Sequence, residues 1–141
     1  MLKLAALDAE DLSIISAHMQ DAVLVAGDLS YLRKARKFAL VANRFVWEHG
    51  RKAEHFERRR TGLHFDRVNR VTFQSIRRDD REAVLSLLSI GFEETDAPSG
   101  AIVLAFSGGG TIRLEVECIE AQLSDLGPAW ATEHLPRHEV D

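Results

Sequence analysis

The 141-residue chain is poor in several things that would have named a function. It has one cysteine, Cys118, so it forms no internal disulfide, and a lone cysteine in an apolar alternation reads as a small core residue. No apolar run approaches the roughly 18 residues that span a bilayer, which argues against membrane insertion. The opening "MLKLAALDAEDL" has one Lys and then three acids, a pattern of neither a secretory nor a transit leader, and a cytoplasmic location is expected. Internal repeats and low-complexity tracts are missing too. There is no overall surplus of positive charge: the net is −4, so a broad nucleic-acid face is not expected.

What is present is ordinary for a globular protein, with 45% apolar and 28% charged residues, and the length suits one domain over residues 1–141. The charge is unevenly placed. From Arg44 to Arg70 there are eight basic and four acidic residues, a net of +4; the remaining ten basic and eighteen acidic residues give −8. The segment Asn43–Val68 also carries three of the six histidines.

Asp8 followed by Asp11, with Leu12, Ile15 and Met19 at helical spacing, predicts a capped helix over Asp8–Gln20, with His18 beside its apolar stripe. The period then changes. "AVLVAGDLSYLRKARKFALVANRFVW" predicts two strands around the turn "RKAR", with Gly27 bending the first arm. "TGLHFDRVNRVTFQSI" predicts extended chain interrupted near "DRVN". In "AVLSLLSIGFEE", Leu88, Ile90 and Phe92 share a parity that predicts all three toward the core. "AIVLAFSGGGTIRLEVEC" predicts a hairpin with Ile102, Leu104, Phe106, Ile112, Leu114 and Val116 toward the core. Ile119, Leu123 and Leu126 then fall at helical spacing before Gly127 and Pro128, which predicts a capping helix over Glu117–Leu126 that leaves Glu120, Gln122, Ser124 and Asp125 to water. A polar tail, 127–141, is expected to dock only in part, through Trp130.

This order predicts an α+β, mainly antiparallel β-roll of about seven strands, with an N-terminal helix and a C-terminal capping helix, on the plan of pleckstrin-homology-like rolls. A split β-barrel is the alternative.

No motif carries chemistry. His49, His55 and His64 are separated by five and eight intervening residues, which fits neither helical nor strand zinc spacing, and no metal or cofactor is expected. "SGGG" joins two strands, lacks the Lys-Ser/Thr of a P-loop and serves a turn. No nucleophile elbow is present, so an enzyme is the lesser expectation. The segment "EHGRKAEHFERRR" reads first as a solvated connector with a short charged helical turn. Its second reading is a patch of Arg51, Lys52, His55, Arg58, Arg59 and Arg60 that grips an anion or an acidic partner.

The stretches "AHMQDAV", "GDLSYL", "NRFVWE", "LHFDRV" and "RLEVECIEAQLSDLGPAWAT" together resemble an uncharacterised bacterial family known only as a domain of unknown function. The resemblance covers nearly the whole chain and implies a stand-alone bacterial protein, with no catalytic or ligand residue to carry over. The expectation is therefore a non-catalytic cytoplasmic interaction module, with a protein partner or a homo-oligomer. The alternative is a small enzyme or ligand-binding protein that uses residues 48–64 on an anionic substrate.

Overall fold

Strand β1 (Lys3–Ala6) leads into helix α1 (Ala9–Met19), where the Asp8 Oδ1 accepts the Asp11 amide at 2.7 Å and so satisfies one otherwise orphaned N–H. Leu12, Ile15 and Met19 are buried, as their spacing requires. The computed structural model describes residues 2–48, 51–52, 57–127 and 130–131, and for Trp47, Glu48, Arg51, Lys52, Glu57, Trp130 and Ala131 it describes the backbone alone.

After the helix nearly everything described is strand. In chain order these are β2 (Val23–Val25), β3 (Leu29–Leu32), β4 (Lys37–Phe45), β5 (Trp47–Glu48), β6 (Arg51–Lys52), β7 (Glu57–Phe65) and β8 (Val68–Gln74). Then follow β9 (Val84–Asp96), β10 (Ser99–Phe106), β11 (Thr111–Val116), β12 (Ala121–Asp125) and β13 (Trp130–Ala131). An 11-stranded antiparallel sheet runs β1-β12-β7-β4-β2-β9-β10-β11-β8, with β3 also on β4 and β13 also on β7, while β5 and β6 pair separately. The path starts at β1 and stops at β8, so the sheet is not closed.

One apolar cluster lies inside. On one side Phe38, Leu40, Leu63, Phe65 and Leu123 contribute; on the other, Ile90, Ile102, Leu104, Ile112 and Leu114. The helix lies across β9 and β1 and pins β9 through the Ser16 hydroxyl, which accepts the Ile90 amide at 2.9 Å. Both expected hairpins form. The turn after Leu32 sets Leu29 opposite Leu40 and Tyr31 opposite Phe38, with Arg36 at φ 52°. The turn after Phe106 uses Gly108 and Gly109 at φ 90° and 94°, a region open to glycine.

Four expectations are corrected. Glu117–Leu126 is not a capping helix: Ala121–Asp125 is β12, between β1 and β7. The segment satisfies both periods, since Ala121, Leu123 and Asp125 also alternate, and the unpaired edges of two neighbouring strands decide for strand. Ile119 and Leu123 are buried as expected, but Leu126 is 55% exposed, and the helix on which the pleckstrin-homology-like plan rested is not there. The sheet has more than the expected seven strands, because Gly27 and its 3-10 turn divide β2 from β3 and several further strands are short.

Third, Leu88 is 46% exposed. Ala105 faces Ser89 while Phe106 faces Leu87, so Leu88 is the extra residue of a bulge and the parity resets around it. Ile90 stays buried and Phe92 packs against the core. Fourth, the described part of the charged connector holds strands rather than a helical turn: Arg51–Lys52 pairs with Trp47–Glu48, and Glu57–Arg60 opens β7.

Candidate functional site: a basic strand end around a buried carboxylate

Along β4, Phe38, Leu40, Ala42 and Arg44 share one parity, so the alternation that buries three apolar side chains buries an arginine as well. Along β12, Ala121, Leu123 and Asp125 do the same. A buried charge needs a partner, and these two meet. Arg44 Nε donates to Asp125 Oδ1 at 3.0 Å and Nη2 to Oδ2 at 2.9 Å, a two-pronged, charge-assisted pair. Thr61, buried on β7 directly opposite Asp125, donates its hydroxyl to Oδ1 at 2.8 Å. The Leu2 amide donates to Oδ2 at 2.8 Å, and the Asp125 amide returns a bond to the Leu2 carbonyl at 3.0 Å.

Four donors fill the acceptor sites of one carboxylate. Burial alone would raise the Asp125 pKa, but hydrogen bonds from Arg44, the Leu2 amide and Thr61, together with the Arg44 charge, hold it below the ordinary carboxylate value. A carboxylate engaged in this way has no lone pair left to act as a base. His18, at the end of α1, senses the pair: its pKa is lowered first by burial and then by the Arg44 charge, with Asp125 opposing.

The three arginines that open β7 surround this centre and behave differently. Arg59 faces the pair, yet its Nε is 3.9 Å from Asp125 Oδ2, too far for a hydrogen bond to a carboxylate already saturated. Arg58, on the opposite face, lies over the Phe45 ring at 4.2 Å, with burial lowering its pKa and its Nε buried without an acceptor among the described residues. Arg60 stands opposite Asn43, whose Oδ1 is also buried without a partner among the described residues, and reaches Asp28 at 3.8 Å.

The expected patch is thus partly assembled. Arg58, Arg59 and Arg60 follow one another at one strand end, Arg59 on the face of the ion pair and Arg58 and Arg60 on the other; Arg51 and Lys52 lie in β6 with only their backbone described; His55 and His49 lie outside the described residues. His64 points to the face away from the core and is 3.5 Å from Asp66. Among the described residues no three His, Cys, Asp or Glu side chains gather to hold a metal. Cys118 is half-buried just beyond β11. Asp125 was expected to face water and is instead buried, because its strand parity turns it inward; His18 was read only as lying beside the helix stripe, and Arg44 and Thr61 were not singled out from the sequence. The signal for Arg44 and Asp125 was available as a shared parity in "FALVANR" and "AQLSD".

Fold and cluster define, among the described residues, an open, mainly antiparallel sheet with one helix on its core and a saturated ion pair at one end, beside the arginines of β7. The chain belongs to the family described as protein of unknown function, DUF2948, which matches residues 2–138. No curated protein and no solved structure matches it. Among the described residues no helix is long and apolar enough to cross a membrane.

Proposed function

We propose that the chain is a one-domain, non-catalytic interaction module of the bacterial cytoplasm whose basic strand end docks an acidic protein segment. One observation carries this reading: Asp125 is saturated by Arg44, Thr61 and Leu2, so Arg58 and Arg59 are cations that no carboxylate among the described residues hydrogen-bonds. Guanidinium groups held on a sheet, with their backbone fixed by β4, lose little freedom on gripping a carboxylate. The same saturation speaks against acid-base chemistry at Asp125.

The test is binding of a labelled oligoglutamate peptide, measured by anisotropy across a range of salt. Binding that weakens with salt and falls at least tenfold in Arg58→Glu/Arg59→Glu is expected. No binding by the parent protein would remove the reading. Turnover of a phosphorylated or carboxylated metabolite, lost in the same variant, would replace it with the enzyme alternative.

A further inference from the structure

The strand order ends at β8, whose only strand neighbour among the described residues is β11. The hairpin before it fixes which backbone groups face outward. Phe106 donates its amide to the Gly110 carbonyl at 2.8 Å, one step beyond the pair Ala105 and Thr111. Alternation from there turns Ile112 and Leu114 toward β10, and Thr111, Arg113 and Glu115 toward β8. Their partners on β8 are Gln74, Thr72 and Arg70. Val71 and Phe73, opposite Leu114 and Ile112, therefore direct N–H and C=O away from β11 to the open edge.

Nothing among the described residues pairs with that edge beyond its start, where the Arg36 carbonyl accepts the Val68 amide and the Tyr31 hydroxyl donates to the Val68 carbonyl. The strand "VNRVTFQ" carries no proline, lysine or acid to blunt it. Its one charge, Arg70, sits 3.8 Å from Glu115. The bulge opposite Glu115 and Val116 affects only its beginning. Val71 and Phe73 pack against the core yet stay half-exposed, as they would in a sheet lacking a neighbour.

We propose that β8 pairs antiparallel with the β8 of a second copy, about a two-fold axis through Thr72. In that register Val71 meets Phe73 of the other copy, so the outward amides and carbonyls satisfy each other reciprocally and the two apolar side chains cover each other. On the outer face Thr72 meets Thr72 and Arg70 meets Gln74, so no two arginines oppose. The sequence is complementary to itself across the axis, as a closed two-fold contact demands. This surface is separate from the Arg58 end and does not depend on the reading given for that end.

Molar mass by light scattering across protein concentration tests it. Twice the monomer mass is expected for the parent and for Arg58→Glu, falling to the monomer mass on dilution. Thr72→Lys and Thr72→Glu each set like charges on the axis and are expected to be monomers with unchanged circular dichroism, while their equimolar mixture regains the doubled mass. Should either fail to fold, Thr72→Cys in a Cys118→Ala background decides, because its axis thiols cross-link as a dimer on oxidation. A parent that stays monomeric throughout, a doubled mass indifferent to Thr72→Lys, a mixture of folded Lys and Glu variants that stays monomeric, or a Thr72→Cys protein that does not cross-link overturns the proposal.

Discussion

Arg44 cannot be left alone in this core. With 6% of its side chain exposed, and Asp125 with none, the two form a pair whose members were costly to desolvate and are worse apart than together. Asp125→Ala should lower the unfolding free energy by about 3–5 kcal/mol, read from urea denaturation, because it leaves Arg44 buried and uncompensated. The double variant Arg44→Met/Asp125→Leu should recover most of that loss. Arg59→Ala, which removes no hydrogen bond, should stay within about 1 kcal/mol of the parent. Acid acts on the same centre. His18 titrates below its ordinary 6.5, so between the two values the unfolded chain binds a proton that the folded chain refuses, and stability falls as pH drops through that window. Asp125 adds a second loss of the same sign below its ordinary 3.8. The denaturation midpoint should therefore decline as pH falls below the ordinary histidine value of 6.5, and His18→Gln should flatten that decline.

At the level of elements, β12 is where reading by period alone went astray, and two leucines separate the alternatives. A helix would bury both Leu123 and Leu126; the strand buries Leu123 completely and leaves Leu126 over Gly62 at the surface. Leu123→Ala should cost about 2–5 kcal/mol and Leu126→Ala about 0.5 kcal/mol or less, both by denaturation. Gly100 is a second element-scale constraint. A methyl group there would stand 2.4 Å from the Glu93 carbonyl and 2.5 Å from Phe92, so Gly100→Ala should force β9 and β10 apart and lower the thermal midpoint. The helix, both tight hairpins and most of the core were legible because each is set by local spacing and turn chemistry. Leu88 was not, because a bulge shifts parity without any mark in the residues that flank it. The ion pair was not, because its halves are 81 residues apart and each looks like a surface charge until its strand is assigned.

Over the whole molecule, the sheet is stitched by pairings remote in sequence: β12 on both β1 and β7, β2 on β9, and β8 at the far end. No spacing rule reaches across such separations, and this is why the strand order was not legible. Topology of this kind folds slowly, and refolding in milliseconds to seconds is expected by stopped flow. The bond from the Leu2 amide to Asp125 joins residues 123 apart. On a ribosome adding roughly 5–20 residues per second, the carboxylate arrives roughly 6–25 s after the amide it will bind. For that interval Leu4 and Ala6 have no β12 to lie against, and Arg44, 81 residues ahead of Asp125, waits roughly 4–16 s for its counter-charge. The nascent chain is therefore most exposed to chaperones and proteases just before β12 appears.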